Sequence, residues 1–116
     1  MERQGIAESG NRRERVAAAI ARLGPRLPKF EAEAILDRAL ASVGLRGAAP
    51  ETAARLAMIA YARHVFTEYD ALLAEGYDRD SARHFVLDDL NDTLAGWGAA
   101  PVPEDAEGEP EDSREA

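Results

Sequence analysis

The chain has 116 residues, no cysteine and a formal charge of −8. That length suits one domain rather than two. Without thiols there is no disulfide framework, no thiolate nucleophile and no cysteine-based zinc site.

In chain order, residues 1–11, with Gly5, Ser9 and Gly10, read as a flexible N-terminus. Four helices then follow from apolar residues recurring at helical spacing. The first runs from about Asn11, its N-cap, to Leu23, with Val16, Ala19, Ile20 and Leu23 on one face and Gly24-Pro25 as its stop. The second begins near Pro28 and reaches Val43 before Gly44, burying Ala32, Ile35, Leu36, Ala39, Leu40 and Val43. The third and longest spans about Pro50 to Ala74 and is closed by Gly76. At 100° per residue, Met58, Ile59, Ala62, Val65, Phe66, Tyr69, Leu72 and Leu73 form its apolar stripe. Asp78 caps the fourth, which runs to about Trp97 with Ala82, Val86, Leu90, Leu94 and Trp97 facing inward.

No segment alternates with period two, so the fold class is all-α. It is a small four-helix domain over residues 12–98, with helices three and four in a hairpin. Residues 99–116 read as a disordered acidic tail. From Pro101 onward they hold seven acids against Arg114 alone, a net of −6, leaving 15 acids and 13 bases for residues 1–100. The tail has too little apolar surface to offset its ordering entropy.

No apolar run approaches the roughly 20 residues that cross a bilayer, and no signal-peptide core opens the chain. The expectation is a cytoplasmic protein with no membrane partner. Lys29 is the only lysine among many arginines and alanines, a bias that fits a GC-rich bacterial genome.

The hairpin carries the densest polar information. Arg63, Thr67 and Asp70 fall at i, i+4 and i+7 on one flank of helix three, either as a gripping surface or as an intrahelical Arg–Asp pair. Arg83 falls inside the apolar face of helix four. A guanidinium there must find a carboxylate or snorkel to water; Asp70 is the most natural candidate across the hairpin, with Asp78 and Asp80 nearby in sequence, and the arginine either ties the two helices together or binds a ligand. His64 pairs in sequence with Glu68 at i+4. With His84 it projects from the polar side, and no HExxH pattern or histidine cluster implies a metal. Nothing in the sequence suggests a serine triad, and GLRGAAP lacks the lysine and spacing of a phosphate loop. Trp97 and Tyr69 sit within apolar stripes, as core residues rather than stacking platforms.

From Tyr61 to Trp97 the chain resembles a bacterial family known as the domain of unknown function 2293. The resemblance rests on Arg63-His64, Thr67, Tyr69-Asp70, Leu72-Leu73, Gly76, Asp78-Arg79, Ala82-Arg83 and Trp97. It implies that Arg63, His64, Thr67, Asp70, Arg79 and Arg83 belong to one unit. It implies no activity, because none is assigned to the family. Members tend to be more basic between Arg83 and Trp97, where this chain has Asp88, Asp89 and Asp92.

Together these features point to a non-catalytic protein-interaction module, with a protein partner or a second copy of the chain bound through those six residues. No cofactor is implied. The alternative is a nucleic-acid-binding module using Arg63, His64, Arg79 and Arg83. It is not favoured, because residues 1–100 are almost neutral and have no basic stripe. A third reading makes His64 a general base oriented by Asp70 or Glu68, and it lacks an evident concave site.

Overall fold

The computed structural model describes residues 10–104. Among these residues five helices follow one another: α1 (Arg12–Leu23), α2 (Lys29–Ala41), α3 (Pro50–Phe66), α4 (Tyr69–Ala74) and α5 (Arg79–Gly96). A 3₁₀ turn covers Val43–Leu45, and there is no strand among the described residues. The parts of the expected flexible N-terminus and acidic tail at residues 1–9 and 105–116 lie outside the described residues.

Helices α1, α2 and α3 pack against one another, and the C-terminal half of α5 closes the same core. Asn11 caps α1 as expected, its side chain accepting from the Glu14 N–H at 2.8 Å. Val16 and Ile20 share one buried cluster with Ile35, Leu36, Ala53, Ala57 and Met58. Alanines make up much of this core, with Ala19, Ala39, Ala53, Ala54, Ala57 and Ala62 all buried.

Helix α2 stops at Ala41, short of the expected Val43. Val43 is 74% exposed in the 3₁₀ turn, and Leu45 is buried in the core instead. The turn is held from outside, because the Arg12 guanidinium donates to the Leu45 and Ala48 carbonyls, both at 2.8 Å.

The helix expected over Pro50–Ala74 is two helices. Thr67 is extended, with φ −132° and ψ 175°. Its hydroxyl donates to the Arg63 carbonyl and accepts from the Tyr69 N–H at 3.1 Å. The side chain thus closes α3 and opens α4 within one turn, the local competition with helix continuation that threonine offers. Val65 and Phe66, expected in the buried stripe, lie exposed beside the break.

Gly76 and Gly98 are the left-handed residues among those described, at φ +105° and +79°. Each forms a Schellman closure, with Tyr77 N–H on the Leu72 carbonyl and Ala99 N–H on the Leu94 carbonyl. Asp78 caps α5 by accepting from the Ser81 N–H at 2.7 Å, and those bonds hold its carboxyl below the usual aspartate value. A second, smaller cluster of Tyr69, Ala82 and Val86, flanked by Leu72 and Leu73, ties α4 to the N-terminal half of α5.

The packed domain extends past residue 98. Ala99 and Val102 are buried in the main core, and the Asn91 side chain both accepts from the Val102 N–H at 2.8 Å and donates to its carbonyl at 3.1 Å. Arg55 donates to the Ala100 and Pro101 carbonyls. Among the described residues no helix is long and apolar enough to cross a membrane.

Candidate functional site at the α3–α4–α5 corner

The break at Thr67 determines what its neighbours can reach. Had α3 continued, Glu68 would sit one turn above His64. With the chain extended at Thr67, Asp70 in the first turn of α4 comes back over His64, and its Oδ1 lies 2.6 Å from the His64 Nδ1. The observed partner of His64 is therefore Asp70 rather than Glu68. The carboxylate that the sequence offered to Arg83 is engaged at His64, on the exposed side of the corner.

Tyr69 sits between the two residues that precede the break. The Arg63 guanidinium carbon lies 5.6 Å from its ring centroid, and the His64 ring meets it edge-on at 5.2 Å. Arg63 is 4% exposed and Arg83 is 2% exposed. For Arg83 this agrees with its angular position in the apolar face of α5. For Arg63 it departs from the expected surface flank, because the short α4 folds over it and Tyr69 covers it. Thr67 and Arg79 are half-buried, His64 is partly open, and Asp70 is exposed.

The six residues thus divide into two layers. Arg63, Arg83 and Thr67 build the corner from within, while His64, Asp70 and Arg79 present themselves to solvent. A histidine whose Nδ1 is held by a carboxylate has a fixed ring orientation and one nitrogen left for other use. Among the described residues no group of three or more histidine, aspartate and glutamate side chains is placed to hold a metal ion. Grooves among the described residues open elsewhere. One, of about 210 Å³, lies between α1 and α2 around Ile20, Gly24, Leu27 and Leu36; another, of about 330 Å³, lies around Leu23, Glu51, Arg55 and Leu56.

Sequence reasoning missed two features. Tyr77 and Phe85 flank the α4–α5 turn with rings 5.5 Å apart at right angles, and they are 42% and 61% exposed. Both lie off the apolar stripe of their segment, which was the available signal. The other is an aromatic knot in which the single tryptophan, Trp97, stacks on Tyr61 at 6.4 Å and meets Phe66 edge-on at 5.7 Å. Tyr61 donates its hydroxyl to Glu31 at 2.5 Å. Burial, followed by that hydrogen bond and the charge of Glu31, pushes its pKa up to about 12.

No curated protein and no solved structure matches the chain. The model of a family described as an uncharacterized conserved protein, DUF2293, matches residues 19–98. This is wider than the Tyr61–Trp97 resemblance and takes in part of α1, all of α2, and the corner itself. The chain belongs to the DUF2293 family.

Proposed function

We propose that this protein is a non-catalytic interaction module of the cytoplasm that binds another protein, or a second copy of itself, through the α3–α4–α5 corner. The observation that carries this reading is the exposed Tyr77–Phe85 pair beside a corner whose polar residues are already ordered. Aromatic side chains cost little conformational entropy to fix, and they dominate the energetic centres of protein interfaces. The His64–Asp70 pair adds a polar rim of fixed geometry. Nothing in this reading requires a cofactor.

The nucleic-acid alternative draws no support from the corner. Of its four residues, Arg63 and Arg83 are almost fully enclosed, leaving His64 and Arg79 to meet phosphates. Phosphate binding generally needs several exposed cations acting together.

The test is affinity capture of the tagged full chain from its own cells with nuclease present, beside a Tyr77→Ser/Phe85→Ser variant. A stoichiometric protein partner that survives nuclease and binds the variant at least roughly 30-fold more weakly supports the reading, since hot-spot truncations cost about 2 kcal/mol or more. A partner indifferent to both substitutions, or capture of nucleic acid that nuclease abolishes, overturns it.

A further inference from the structure

The solvent side of α5 is set by what its other side buries. Ala82, Val86, Leu90 and Leu94 are enclosed. Phe85 and, at i+3, i+4 and i+7 from it, Asp88, Asp89 and Asp92 are all exposed, so one side of the helix presents a ring followed by three carboxylates. No lysine or arginine stands three or four residues from any of these aspartates. Asp88 and Asp89 instead have Asp92 one turn on, and like charges at that spacing destabilise a helix. Asp92 also approaches the negative end of α5, whose last turn holds no basic residue. An arriving cation relieves both penalties.

The same imbalance surrounds the face. Residues 69–104 carry eight acids, all exposed, against two arginines, of which Arg83 is 2% exposed and Arg79 half-buried. The negative potential of this side is therefore not cancelled from within. Beside the aspartates stand Tyr77 and Phe85, with their rings 5.5 Å apart at 90° and His84 bordering Phe85 at 6.1 Å. In an edge-on pair the ring that offers its edge keeps its faces clear of the other, and a clear aromatic face attracts a cation.

Arginine suits this combination best, because its flat guanidinium stacks on rings and bonds a carboxylate through two N–H groups at once. A second copy of the chain would bring its own formal charge of −8, and that repulsion disfavours it. Resting on the interaction surface proposed above, we infer that the occupant of this face is an arginine-rich segment of another protein. One arginine lies against Tyr77–Phe85, and others run along Asp88, Asp89 and Asp92.

The probe is a capped synthetic peptide of arginine, alanine and leucine, with a control in which every arginine is glutamate. Each is titrated into the full chain at physiological salt, and backbone amide shifts are read by NMR. The inference predicts shifts centred on Tyr77–Asp92, with the arginine peptide binding at least about tenfold tighter than the control and losing affinity at high salt. Asp88→Asn/Asp89→Asn/Asp92→Asn should weaken that binding at least about tenfold while leaving the melting temperature unchanged or raised, since their mutual repulsion is gone. The inference is overturned by an arginine peptide that does not bind at millimolar concentration, by equal binding of the control peptide, or by equal binding to the neutralised chain. Shifts centred on α1 and α2, or self-association of the chain through this face, overturn it as well. A natural partner that needs Tyr77 and Phe85 yet ignores the loss of the three aspartates also overturns it, while leaving the interaction surface itself standing.

Discussion

Thr67 sits where one substitution tests how the corner is built. Its hydroxyl makes two bonds, to the Arg63 carbonyl and from the N–H of buried Tyr69. Thr67→Val keeps the β-branched shape and removes both. The Tyr69 N–H is then left without its partner, a loss that costs about 1–3 kcal/mol in a buried setting. Losing a helix cap costs roughly 0.5–2 kcal/mol. These describe the same bond and do not add, so the expected loss is about 1–2 kcal/mol. Thr67→Ser retains the hydroxyl and should lose less than about half of that. Urea unfolding followed by Trp97 fluorescence reads both variants, because the single tryptophan is buried in the core. Thr67→Val should also loosen the His64–Asp70 pair, seen as a change in the His64 ring signals. A valine variant within about 0.5 kcal/mol of the parent, or a serine variant as costly as valine, would refute the argument.

Three further outcomes follow from the same geometry. Asn91→Ala should cost about 1–3 kcal/mol, because Val102 loses partners on both its N–H and its carbonyl. Asn91→Asp keeps an acceptor for the N–H but sets a carboxylate against the carbonyl, so it should not restore stability, as thermal unfolding would show. Gly24→Ala places a methyl 2.8 Å from Leu27 Cδ1 and 3.3 Å from Met58 Cε. Overpacking of that kind costs about 1–3 kcal/mol, the lower end if Leu27 rotates away. Tyr61 stays protonated in the folded chain beyond its ordinary value of 10.0, up to about 12. Its contribution to stability is therefore complete below pH 10 and is lost as pH rises toward 12. Tyr61→Phe should flatten the decline in stability over that window, measured by urea midpoints at successive pH values.

The helices were legible because their faces and caps agree. Asn11, Asp78, Gly76 and Gly98 all act at helix ends, and the apolar stripes of α1 and α5 are the buried ones. The break at Thr67 escaped because the period resumes almost in register. Tyr69, Leu72 and Leu73 remain at helical spacing from Met58 and Ala62 across two non-helical residues. Periodicity senses spacing, and a single hydroxyl that redirects the backbone leaves no mark on it. The packed run to Val102 was hidden for a similar reason. One valine among prolines and acids carries little apolar signal, and its anchor is the amide of Asn91, far from any stripe.

The site was legible only in part. That Arg83 lies inward followed from its angle on α5. Which carboxylate meets His64 depended on the turn geometry between α3 and α4, which no spacing rule encodes. The burial of Arg63 depended on Tyr69 folding back over it, a consequence of the same break.

The central claim is that the α3–α4–α5 corner is the interaction surface. Hydrogen exchange of the full chain, alone and with the captured partner, tests it most directly. The account predicts slowed exchange across His64–Phe85, reaching Tyr77, with α1 unchanged. Protection confined to α1, or none in a complex that remains bound, would contradict it.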